Sequence, residues 1–181
     1  FYGFLARLCR EVPHINLIAI GGNHDSPSKL DAPHELLKAF QLHLIGAISR
    51  DGQGRLETER LIVPLTDRQG AIQAWCAAVP YLRSADLRQE ECESEEGDRL
   101  VAGVRAIYRQ TLAAIGARRT PEQPIIALGH AYLVRGELSA LSERKVLGGN
   151  KHALPLEVFS GADYVALGHL HLAQALGPQV H

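Results

Sequence analysis

Three times in this 181-residue chain an apolar run stops at glycine and is followed at once by side chains that bind metals or move protons. The three segments are Ile18-Ala19-Ile20-Gly21-Gly22-Asn23-His24-Asp25, Ile125-Ile126-Ala127-Leu128-Gly129-His130 and Val165-Ala166-Leu167-Gly168-His169-Leu170-His171. Short apolar runs closed by glycine predict buried strands. Ligands of open α/β sheets bind beyond the carboxyl ends of strands. Three such ends would therefore meet at one polar site if the strands share a sheet. Glycine ahead of each polar group predicts a sharp turn of the backbone at the strand edge.

The stretches between these segments suggest the rest of an α/β domain. Phe1 to Val12 carries Phe1, Phe4, Leu5 and Leu8 at helical spacing. A helix is expected over Ala32 to Phe40, with Leu36, Leu37 and Phe40 on one face, and a strand over Leu42 to Ile48. Leu56 to Leu65 and Ala71 to Val79 predict consecutive strands around the turn Thr66 to Gly70, hence an antiparallel pair. Glu90 to Asp98 is acidic and predicts a solvated loop, with Asp98 capping a long helix through Ala117. That helix has an apolar stripe of Leu100, Val104, Ile107, Leu112 and Ile115. A short helix is expected over Leu154 to Phe159 and a strand over Tyr164 to Leu167. The whole of 1–181 is expected to be one partial domain.

Composition excludes little but narrows the class. Apolar residues make up 46% and charged residues 22%, as in ordinary globular domains. No stretch approaches the roughly 20 apolar residues of a membrane helix. Nineteen Lys and Arg against twenty Asp and Glu leave a net charge of -1, so nucleic-acid binding would need a local patch. Cys9, Cys76 and Cys92 are far apart and form no metal-binding pair, which fits a reducing cytoplasm. The chain has no methionine and begins at Phe1, so it is expected to be a piece of a longer one.

Taken alone, a Gly-His at a strand end is an ordinary turn histidine. The ordered set of three carries more weight. Gly22-Asn23-His24-Asp25, Gly129-His130 and Gly168-His169-Leu170-His171 resemble the later motifs of the calcineurin-like metallophosphoesterase superfamily. Within it, three further features resemble the nuclease subunits of bacterial complexes that process DNA double-strand ends. They are Val79-Pro80-Tyr81-Leu82-Arg83, Ser142-Glu143-Arg144 followed by Gly148-Gly149, and Ser26 after the first motif. The resemblance covers essentially the whole chain. It implies a layered β-sandwich flanked by helices, incomplete because its first strands are missing.

The resemblance also implies chemistry. Two divalent metal ions, typically Mn2+, would assist hydrolysis of a phosphodiester. Asn23, His130 and His169 would ligate one ion and His171 the other. His24 would contact the scissile phosphate, and Asp25 would orient His24. Implied partners are double-stranded DNA ends, an ATPase subunit and a second copy of the intact subunit. The superfamily's earlier motifs, Asp-x-His and a Gly-Asp whose carboxylate bridges the metals, are absent here. The segment alone is therefore expected to be inactive. His14, His34 and His43 are expected to be structural or exposed, and His152 and His181 to be loop or terminal residues. Arg135, Arg144, Lys145 and Lys151 are candidates for phosphate contacts. Two other readings are carried: another metallophosphoesterase, acting on nucleotides or phosphoproteins, and a non-catalytic metal-binding module.

Overall fold

The computed structural model describes residues 1–88, 96–134 and 153–181. The acidic run from Glu90 to Glu95, Cys92, the Ser142-Glu143-Arg144 and Gly148-Gly149 loop, Arg135, Lys145, Lys151 and His152 lie outside the described residues.

Helix α1 (Tyr2–Glu11) leads into strand β1 (Leu17–Ile20). Two short helices, α2 (Pro27–Asp31) and α3 (His34–Lys38), precede β2 (Leu42–Ile45), which pairs with β1 in parallel. Of the helix expected over Ala32 to Phe40 only the shorter α3 forms, and α2 lies before that span. Ala32 keeps helical dihedrals, and the break falls at Pro33, which has ψ of 8° and no N–H to carry the ladder on. Leu36 and Phe40 are correspondingly exposed, at 68% and 58%, and only Leu37 of the expected face packs inward.

A second sheet has the order β3-β4-β5-β6. β3 (Ile62–Thr66) and β4 (Ile72–Ala78) form the expected antiparallel pair. Residues Thr58–Leu61, expected to extend the first of these strands, instead form a 3-10 turn. The Asp67 carboxylate closes the hairpin by accepting the N–H groups of Gln69 and Ala71. β5 (Ile125–His130) joins β4 in parallel, and β6 (Tyr164–Gly168) joins β5 in parallel. Parallel neighbours need a crossover, and α4 (Glu96–Gly116) supplies the one from β4 to β5. The helix starts two residues before Asp98, which therefore lies inside its first turn and not at its cap. The end of the chain returns to β6, where backbone bonds join Val165 to Gln179 and Leu167 to His181.

Alternation along β1 explains how the layers stack. Ile18 and Ile20 pack on the large core between the two sheets, while Leu17 and Ala19 pack on a smaller core with Leu5, Leu42 and Leu44. A strand with both faces covered reads as a continuous apolar run. On the far side of the larger sheet, α4 buries Val104, Ile107, Leu112 and Ile115 as its spacing predicts, together with Tyr108 and Thr111. Thr111 is buried because its hydroxyl donates to the carbonyl of Ile107, one turn earlier. The order is helix, sheet, sheet, helix, an α/β layered fold. Among the described residues no helix is long and apolar enough to cross a membrane.

Gln123 ties the linker between α4 and β5 to β4. Gln123 accepts the indole N–H of Trp75 at 2.9 Å and donates to the carbonyl of Ile72 at 2.8 Å. Gln123→Ala strands a largely buried indole N–H. It is expected to destabilise the protein by about 1–3 kcal/mol, read as a lower denaturation midpoint in urea.

Candidate active site at the strand ends

The three motif strands do not share a sheet. β1 belongs to the two-stranded sheet and β5 and β6 to the four-stranded one. Their ends meet nonetheless, because the backbone of Gly21 joins the sheets. Its N–H donates to the carbonyl of Ile45 in β2, and its carbonyl accepts the N–H of Tyr81 just beyond β4. Gly21 must be bare for this, since a Cβ there would lie 2.8 Å from the Gly46 carbonyl oxygen.

His130 is the hub. Its Nε2 and the Oδ1 of Asn23 stand 3.0 Å apart, a hydrogen bond in which the imidazole N–H donates. Its ring meets that of His169 at a centroid distance of 5.2 Å and an angle of 76°. Strand pairing accounts for this: His130 is opposite Gly168 in the β5–β6 register, so His169 follows directly. The ring sits between two glycines. A Cβ on Gly22 would lie 2.7 Å from His130 Cε1, and one on Gly168 would lie 2.8 Å from Nδ1.

The glycines therefore serve a different purpose from the sharp turn expected of them. Gly22, Gly129 and Gly168 are not among the residues with positive φ. They are bare so that the imidazole of His130, and at Gly129 the hydroxyl of Tyr108, can approach the backbone. The unusual backbone falls one residue later, on His169, with φ of 98°. A non-glycine residue rarely adopts this conformation, and such strain clusters at functional positions.

The other expected residues surround this pair. Burial lowers the pKa of His130 below the ordinary imidazole value. The neighbouring His169 lowers it further, as do His24 and His171, while Asp25 opposes them. All four are thus close enough to His130 to act on its charge. His24 and His171 are exposed and reachable from solvent. Asp25, expected to orient His24, has another duty. Its Oδ2 accepts the Gly22 N–H at 2.8 Å, closing the loop that carries Asn23 and His24. The hydrogen bonds of the described residues include none between Asp25 and His24.

The donor chemistry suits a divalent ion at one point, where an amide oxygen faces an imidazole nitrogen with a second imidazole alongside. Among the described residues, no three His, Cys, Asp or Glu side chains group so as to hold a metal ion. The other described histidines lie away from this point. His14 is exposed, His34 contacts the Leu44 carbonyl, and His181 stacks on Tyr164.

Two aromatic residues at the site had no metal-type motif to mark them in the sequence. Tyr81 meets His130 edge-on at 6.0 Å, and Tyr132 lines the same cleft. Tyr81 follows the fourth strand end, that of β4, which lacks a Gly-ligand signature. Its only sequence signal is the Val79-Pro80-Tyr81-Leu82-Arg83 segment.

A family model described as calcineurin-like phosphoesterase matches residues 1–173. The chain is similar to the D subunit of the SbcCD nuclease of Rhodobacter capsulatus, at 39% identity over 97% of the chain and 44% of the relative. It is also similar to the proteins of the same name in Escherichia coli K12, at 29% identity over 92% of the chain and 40% of the relative, and in Bacillus subtilis, at 28% identity over 88% and 38%. The chain thus spans less than half the length of these relatives.

Proposed function

The chain belongs to the calcineurin-like phosphoesterase family, and on that premise we propose that it carries the phosphate-positioning part of a metal-dependent DNA nuclease subunit. The whole protein would hydrolyse phosphodiesters at double-strand ends and hairpins. Its partners would be duplex DNA, an SbcC-type ATPase and a second copy of itself, in the cytoplasm. The observation that carries the reading is the Asn23–His130 pair held between two obligatory glycines, with His24 exposed beside it.

In this reading Asn23, His130 and His169 hold one divalent ion and His171 helps to hold a second, with Mn2+ the first ion to try. When bound, the two ions neutralise phosphate charge and supply a nucleophile at neutral pH. The protein's own residues do the rest. The Gly22 and Gly168 backbones fix the ring of His130 and leave it no room to drift. Asp25 holds the loop closed, so Asn23 and His24 keep their places. His24, reachable from solvent, meets the phosphate and donates a proton to the leaving oxygen, the part of a general acid. Four donors are fewer than two ions need, so the 181-residue segment alone would not cleave DNA.

The test uses the full-length protein with linear duplex DNA, Mn2+ and, in parallel, a chelator. Nucleotide release that depends on the metal is expected. Turnover of small phosphoesters without cleavage of duplex DNA would favour a nucleotide phosphodiesterase or phosphatase. Cleavage of duplex DNA by the purified segment would contradict its assignment as an incomplete site.

A further inference from the structure

Behind the larger sheet, one buried hydroxyl reaches the strand that ends in His130. Tyr108, on α4, is 3% exposed, and its hydroxyl donates to the Leu128 carbonyl at 2.9 Å. Packing alone does not call for that oxygen. The ring already meets Phe159 edge-on at 4.8 Å and 75°, as a phenylalanine ring would. The oxygen also dictates its neighbour, since a Cβ on Gly129 would run into it. Burial raises the pKa of Tyr108 above the ordinary phenol value, so the proton stays in place to be donated.

The reason for the oxygen lies in how β5 ends. Pairing with β4 stops at Ala78 and Leu128. The last bond on that side runs from the Val79 N–H to the Leu128 carbonyl and is long, at 3.3 Å. Donors to a neighbouring strand recur every second residue, so the next would be Tyr81, but its N–H goes to Gly21 instead. Pro80, between them, has no N–H. His130, two residues past Leu128, thus projects beyond the support of β4, while β6 holds it on the other side through the register with Gly168. Neighbouring side chains of a strand point to opposite faces, so Gly129 faces Tyr108 while His130 faces Asn23. We propose that Tyr108 is a positioning residue for His130: from the far face of the sheet its hydroxyl fixes the Leu128 carbonyl, and with it the strand end that carries the imidazole. The effect on catalysis rests on the phosphodiesterase reading; the hold on the strand end does not.

The test compares two variants of the full-length protein. Tyr108→Phe removes the donor and keeps the ring. Thr111→Val, further along α4, removes another buried hydroxyl, one that bonds within its own helix. Thermal melting checks that both are folded. In Tyr108→Phe, amide hydrogen exchange over Leu128 to His130, followed by mass spectrometry without added metal, should be at least about fivefold faster, the effect of losing one such bond. The Kd for Mn2+ should rise by about 10- to 100-fold, the usual result of removing a group that orients a ligand. Thr111→Val should change neither. Exchange and Mn2+ binding at parental values in Tyr108→Phe, or equal changes in Thr111→Val, would overturn the proposal. Hydrolysis of linear duplex DNA is measured separately. If the parent cleaves DNA and Tyr108→Phe matches it in all three measurements, the role of Tyr108 falls and the phosphodiesterase reading stands. Faster exchange in Tyr108→Phe, in a protein that hydrolyses no diester, would uphold the hold on the strand end and sink the catalytic reading.

Discussion

Replacing His24 by alanine in the full-length protein is expected to lower phosphodiester turnover by about 10²- to 10⁴-fold, the usual contribution of a positioned general acid. Metal content, measured on the same preparation, should not change. The physical basis is the position of His24. Its side chain is exposed, whereas Asn23 before it is tied to His130. It lies close enough to lower the pKa of His130. An exposed side chain of this kind contributes little to stability, so the variant should melt within about 0.5 kcal/mol of the parent.

The leaving group separates the two ways in which His24 could act. A proton is needed most by a poor leaving group, such as a deoxyribose oxygen. A nitrophenolate leaves without one. If His24 protonates the leaving oxygen, the alanine variant should lose far less activity on a nitrophenyl ester than on DNA. An equal loss on both substrates would point to stabilisation of phosphate charge. Loss of metal together with activity would reassign His24 as a ligand.

The candidates that the structure brings together, Asn23, His130 and His169, were legible in the sequence because each follows a strand end in a short, rare pattern. Their arrangement was less so. Nothing in Ile18 to Ile20 tells which sheet the strand joins, because a strand buried on both faces has no alternation of polar and apolar residues. That information lies in the backbone bonds of Gly21, which no side-chain pattern reports. The duty of Asp25 is hidden for a similar reason. An aspartate after Asn-His suits a partner for the imidazole, but a carboxylate three residues past an N–H can also close the loop locally, and here it does. The late start of α3, after Pro33, was readable from proline's missing N–H, a rule outweighed by the apolar spacing of Leu36, Leu37 and Phe40. Tyr81 carries no such signal because its strand, β4, is followed by valine and proline with no metal-type residue after them.

The glycines give the second large effect. Gly22→Ala and Gly168→Ala are each expected to reduce turnover of the full-length protein by on the order of a hundredfold, the cost of a displacement of about 1 Å at a reacting centre. Each should also lower stability by about 1–3 kcal/mol through overpacking. Gly22→Ala should be the worse, because its methyl group would meet three atoms of the His130 ring between 2.7 and 3.1 Å, whereas at Gly168 only Nδ1 is that close. Neither cost arises from backbone conformation, since both positions lie outside the positive-φ region. The clash is with one ring, which permits a decisive control. In a His130→Ala background the methyl group has space, so the stability penalty of Gly22→Ala should largely vanish, a coupling that a double-mutant cycle measures directly. Gly3→Ala provides the comparison. Gly3 lies within α1 with nothing within 4 Å of its would-be Cβ, so alanine there should stabilise by about 0.5–1 kcal/mol. If Gly22→Ala instead remained as costly without the imidazole as with it, the glycine would be answering to something other than His130. The ring of His130 would then not be held in place by Gly22.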